Sequence, residues 1–225
     1  MGKAEEHLDT ACGCLRMGKF NQAIKEYQAA ISADPGNSIA HKSLGNLYYR
    51  KTMLDESIAE YRKAVELNPQ YSDAHYELGI SLYRRGLLEE GIKSFLEALK
   101  INPNFHIARY WLGLSYYYIG RLKEAIDAFR VTIANEPNVA IAYYHLGIAY
   151  MREGRWKDAI EQFEEFLKKT PLSAAASYQL GVSYYNIGDV DNAVKNFRRA
   201  VEIDPSDERS RENLDTIEEL RSKFF

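Results

Sequence analysis

The side chains with chemistry to offer in this sequence are five histidines, two cysteines and seventeen tyrosines. Three of the histidines, His7, His41 and His75, stand 34 residues apart. Imidazole is a common metal ligand, so an evenly spaced trio invites a zinc reading. Cys12 and Cys14 lie two apart, a spacing that on a helix points the thiols to different sides and makes a disulfide between them poor. No further cysteine completes a metal set with them, and they read as small core residues. No nucleophile–base pair, phosphate-cradling glycine loop or clustered carboxylate pair is legible. The sequence therefore predicts neither an enzyme nor a cofactor. The tyrosines remain, and their spacing directs attention to the elements that carry them.

Those elements repeat. All six prolines fall on one 34-residue beat, at Pro35, Pro69, Pro103, Pro137, Pro171 and Pro205. Gly45, Gly79, Gly113, Gly147 and Gly181 keep one register, and Gly18, Gly86, Gly120, Gly154 and Gly188 keep another, interrupted only by Thr52. From His106 to Asn135, apolar residues recur at three- and four-residue steps on both sides of Gly120, which predicts two amphipathic helices and a turn. Pro137 ends the second helix, because proline lacks the N–H and its ring clashes with the preceding turn. The rest of the chain is copies of this hairpin, and such a period is the signature of an α-helical solenoid. The histidine trio then fails as a metal site. Successive copies are separated by two helix spacings of about 8–10 Å each, whereas zinc needs ligands at about 2.0–2.1 Å.

Composition sets further bounds. The chain of 225 residues is 46% hydrophobic and 27% charged, which suits a well-packed protein. A net charge of −3 supplies no field toward nucleic acid or anionic membrane. The start, MGKAEEHLDT, has no long apolar run, so neither a signal peptide nor membrane insertion is expected and the expected compartment is cytoplasmic. The expected layout is a single solenoid over residues 1–225. Its repeats run at about 4–37, 38–71, 72–105, 106–139, 140–173 and 174–206, with a capping helix over about 207–223 carrying Leu214, Ile217 and Leu220 on one side.

In the fourth copy the recurring residues are Tyr110, Leu112-Gly113, Tyr116, Ala125, Phe129 and Pro137; in the sixth, Leu180-Gly181, Tyr184, Ala193, Phe197, Ala200 and Pro205. This pattern resembles the tetratricopeptide repeat family over nearly the whole chain. Departures are Ser57 and Gly91 at the alanine position, and Thr132 and Phe166 at the later small position. The resemblance implies a right-handed superhelix with first helices lining a concave groove, and charge agrees. First helices such as AAASYQLGVSYYN are nearly uncharged, whereas second helices such as VDNAVKNFRRAVEI carry the charge and belong outside. Some members of the family hold a chaperone's C-terminal carboxylate through lysine, asparagine and arginine donors. Lys42 and Asn46 fit the opening of that set, but Glu77, Ile107 and Trp111 fill the remaining places, so a carboxylate is not the expected ligand.

One face of the first helices forms ladders. Tyr76, Tyr110, Tyr144 and Tyr178 make one, and Tyr49, Tyr83, Tyr117 and Tyr185 another. Between them runs an aliphatic row of Ile80, Leu114, Ile148 and Val182, flanked by Trp111, His145, Arg50, Arg84 and Arg152. If each of the twelve ladder side chains leaves about 50 Å² in water, the strip approaches ~600 Å², near the upper limit for a monomer's largest apolar patch. The expected function is an interaction scaffold binding a protein or peptide segment with apolar and aromatic side chains in this groove. The alternative is a subunit that self-assembles into homo-oligomers through terminal repeats or the groove. Nucleic acid is not an expected partner.

Overall fold

The computed structural model describes residues 2–224, with side chains described through residue 219. It is all-α: among the described residues the elements are helices joined by short turns. The chain falls into two compact units, residues 1–115 and 116–225.

The first unit holds α1 (Lys3–Arg16), α2 (Phe20–Ala33), α3 (Ser38–Arg50), α4 (Leu54–Leu67), α5 (Ser72–Arg85), α6 (Leu88–Ile101) and most of α7 (His106–Tyr118). Helices pack in chain order, α1 on α2, α2 on α3, and so on to α6. Each hairpin closes on an aromatic ring from its second helix: Tyr27, Tyr61 and Phe95 are buried. Glycine makes the approach possible. A Cβ at Gly45 would lie 2.8 Å from the Tyr61 ring, and one at Gly79 would lie 2.6 Å from Phe95. The recurring Leu-Gly pair is thus a seat for a ring from the same hairpin. In the first hairpin Ala11 stands at the glycine position, and it is buried in one cluster with Tyr27, Leu44 and Leu47.

The second unit holds the last turn of α7, then α8 (Leu122–Asn135), α9 (Ala140–Arg152), α10 (Trp156–Lys169), α11 (Ala174–Asn186), α12 (Val190–Ile203) and α13 (Glu208–Phe224). Phe163 and Phe197 are buried against Gly147 and Gly181, each at 2.8 Å from a would-be Cβ. At the C-terminal end, Ile217 and Leu214 of α13 pack with Val194, Phe197 and Val182. Here α13 does what the capping helix was expected to do. The side chain of Leu220 lies outside the described residues.

Turns follow the sequence punctuation. Gly86 ends α5 at φ +83°, and the N–H of Leu87 bonds back to the Leu82 carbonyl at 2.9 Å, closing the helix end. Ahead of the prolines, Asp34, Asn68, Asn102 and Asp204 each accept the N–H two residues on, at 3.0–3.2 Å, which turns the chain into the next hairpin. The charge asymmetry holds locally. In α9 only Ile141 and Arg152 are exposed, whereas α10 exposes Lys157, Glu161, Glu164, Lys168 and Lys169.

Candidate functional site

In the first unit the ladder face is built by Tyr49 and Arg50 on α3, by Tyr76, Ile80, Tyr83 and Arg84 on α5, and by Tyr110, Trp111 and Leu114 on α7. The three- and four-residue steps put each set on one side of its helix. The five aromatic residues are half-buried. Tyr83 of α5 meets Trp111 of α7 edge-on at 5.1 Å, and within α7 Trp111 meets Tyr110 at 5.8 Å. Tyr76 lies 4.9 Å from Phe105.

The aliphatic row does not lie open as the exposed-strip estimate assumed. Ile80 is 5% exposed and Leu114 is 6%. The reason is reach. Aromatic side chains extend further from the helix axis than an isoleucine or leucine, and the Tyr83–Trp111 contact bridges α5 and α7 beside them. In this unit the accessible surface is a set of ring edges and phenols, with aliphatic packing beneath.

The second unit differs. Tyr117, Tyr144, His145 and Tyr178 are half-buried, as are Ile148 and Val182, while Tyr185 is 46% exposed. Tyr144 rests on Phe163 and Phe166, at 5.7 and 5.4 Å, so the large ring that replaces a small residue at position 166 supports a ladder tyrosine. Ile148 and Val182 keep partly accessible apolar surface beside these rings.

Arginines brace the rungs. Arg84 lies 4.8 Å from the Tyr49 ring, one repeat back. Arg152 lies 4.7 Å from Tyr117 and donates from Nη1 to its carbonyl oxygen at 3.1 Å. Both are cation–π contacts between successive first helices. Arg50 instead lies 5.5 Å from Phe20. Arg209 of α13 covers Tyr178 at 4.7 Å. One, two and three repeats back the equivalent positions hold Ala175, Ile141 and Ile107, so register alone does not reveal it.

Electrostatics make the face neutral in its phenols. Burial, with Glu77 nearby, pushes Tyr76 up to about 12, and burial raises Tyr144. Neutral phenols donate and accept hydrogen bonds and offer ring faces, but they are not bases at physiological pH. Burial lowers the pKa of His145, partly offset by the hydrogen bond from its Nδ1–H to the Ile141 carbonyl at 3.1 Å. Glu77 was singled out in the sequence only as an obstacle to carboxylate binding. It is half-buried, and burial raises its pKa, partly offset by Lys42.

The histidine trio is dispersed. His7 pairs with Glu26 at 2.8 Å and His41 with Glu60 at 2.7 Å, while His75 meets the Pro69 carbonyl at 3.1 Å. Among the described residues no three His, Cys, Asp or Glu side chains converge. Cys14 is buried in the first hairpin, and Cys12 lies 3.8 Å from the Tyr27 hydroxyl. Among the described residues no helix is long and apolar enough to cross a membrane.

Stacked helical hairpins of fixed length, presenting first-helix side chains as a repeating face, define an α-helical repeat protein of the interaction class. The sequence profile of the tetratricopeptide repeat matches residues 8–72, 44–104, 76–140 and 144–208, and the chain belongs to that family. Solved structures agree. YrrB, described as a TPR protein with an unusual peptide-binding site, is 23% identical, with 83% of this chain and 96% of that one covered at a TM-score of 0.76. MamA is 30% identical over 72% of this chain and 95% of its own, at 0.70. The pilF protein of Pseudomonas aeruginosa is 19% identical over 93% and 96%, at 0.74. Among curated proteins none matches the sequence.

Proposed function

We propose that this protein is a non-catalytic interaction scaffold that holds an apolar, aromatic-bearing segment of a partner protein on its first-helix face. The observation that carries the reading is the second unit's face, where Ile148 and Val182 remain accessible between half-buried tyrosines and Tyr185 stands 46% exposed. Apolar and aromatic surface displayed at a fixed repeat suits a segment that places side chains at matching intervals. The peptide-binding site ascribed to YrrB supports the same use of the fold.

The test is affinity capture from native lysate with wild type and an Ile148→Glu/Tyr185→Ala variant. Both residues keep solvent contact, so the variant stays helical by circular dichroism. Captured proteins should be lost with this variant and kept with Lys195→Ala on α12. Equal capture by all three removes the groove reading.

Self-association is the second reading, favoured by two apolar side chains left in water, Met17 at 62% and Leu172 at 82% exposure. Light scattering across a concentration series decides it, since a constant monomer mass excludes assembly.

A further inference from the structure

The first unit contains a cavity of about 350 Å³ between α1, α3 and α5, within the range of side-chain and small-ligand pockets. Its lining is part aromatic, and its charged side chains are one cation, Arg50, and one carboxylate, Glu77. Tyr49 supplies a ring, and Ser43 and Asn46 supply side-chain oxygens. The buried Tyr61 hydroxyl donates to Asn46 Oδ1 at 2.6 Å and holds that amide in place.

Among the described residues Glu77 has neither a hydrogen bond nor an ion pair. A half-buried carboxylate in that position costs free energy that an incoming cation would recover. The cavity's own cation, Arg50, is held over the Phe20 ring at 5.5 Å and makes no ion pair with Glu77. Lys42 is the cation Glu77 senses; it lies over the Tyr71 ring at 5.9 Å, and Asp73 opposes it.

We propose that this cavity receives a cationic side chain, a lysine or arginine of the bound partner segment, with Glu77 as counter-ion and the half-buried Tyr49 ring as a wall. Aromatic faces attract a desolvated cation, and a carboxylate at one side fixes its direction. The proposal rests on the scaffold reading for the source of the cation. It adds a charge requirement to a partner otherwise specified only as apolar and aromatic.

The experiment is a titration of the ¹⁵N-labelled full chain with N-acetyl-arginine amide, N-acetyl-lysine amide and neutral N-acetyl-citrulline amide, followed by amide shifts. The charged amides should move the signals of Gly45, Asn46 and Glu77. Citrulline, which keeps the shape without the charge, should bind at least about ten-fold more weakly, as loss of a charge-assisted contact implies. The isosteric Glu77→Gln should erase that preference while the rest of the spectrum stays in place. Equal binding of arginine and citrulline, a preference that survives Glu77→Gln, or no shift with any of the three would overturn the proposal. Stronger binding of N-acetyl-aspartate amide would also overturn it and assign the cavity to Arg50. Capture through Ile148 and Tyr185 does not involve Glu77. If capture fails while arginine amide binds, the scaffold reading falls and the pocket stands.

Discussion

At φ +61°, Thr52 occupies the left-handed turn position that glycine fills in the other five hairpins. A β-branched residue there costs about 1–2 kcal/mol, of which glycine's larger unfolded-state entropy returns part. Thr52 is exposed, and replacement also removes only its solvent-exposed hydroxyl bond to the Lys51 carbonyl at 2.6 Å. Thr52→Gly should therefore raise stability by about 1 kcal/mol in urea unfolding, and a decrease would refute the strain argument. Gly79 is the opposite case. Its would-be Cβ sits 2.6 Å from a fully buried Phe95, so Gly79→Ala should destabilise by about 1–3 kcal/mol while keeping the helical spectrum. Glu77 carries a pH signature. Burial raises its folded-state pKa above the ordinary 4.5, against a partial offset from Lys42, so the folded chain holds the proton more tightly. Its contribution is then complete at low pH and is lost as pH rises through the raised value. Glu77→Gln should be more stable than wild type near pH 7, and the gap should close as pH falls to 4.5 and below. A gap that widens on acidification would reverse the assignment. At this scale the sequence was a partial guide. Glycine and proline registers announced the turns, because backbone constraints repeat with the residue type. The burial of Ile80 and Leu114 was not legible, since it depends on how far neighbouring rings reach from adjacent helices.

Helices were the most readable level. The hairpin read from His106 to Asn135 coincides with the start of α7 and the end of α8, because turn glycines and prolines are local signals. What a helix covers is less local. Arg209 reached Tyr178 only because α13 packs on the last hairpin, a contact that no register predicts. The covering role of α13 is itself testable. Ile217 is 4% exposed and packs with Ala193, Val194 and Phe197. Ile217→Ala should cost about 2–5 kcal/mol in urea unfolding, through lost burial and the cavity left behind. If the loss is within ~0.5 kcal/mol, typical of a surface change, α13 is an appendage and does not complete the core.

Across the molecule the repeat itself governs stability. In a stack each hairpin gains only from its neighbours, so the summed stability is nearest-neighbour in character. Within the first unit the buried cores of the helices are unequal. The described core of α1 consists of Ala11 and Cys14, both small, whereas α5 buries Ala74, Leu78, Gly79, Ile80, Ser81 and Leu82. Amide exchange should follow: α1 amides should open first, and protection should climb toward α5, where the ladder tyrosines and Glu77 sit. The functional consequence is that the proposed cation pocket combines a wall from the weakly held α1, Leu15, with walls from well-held α3 and α5. Arginine amide should then slow exchange in α1 more than in α5, because a ligand protects most the element whose opening destroys its site. Uniform protection along the first unit, or ligand protection confined to α5, would contradict both the stacking argument and the placement of Leu15 in the site.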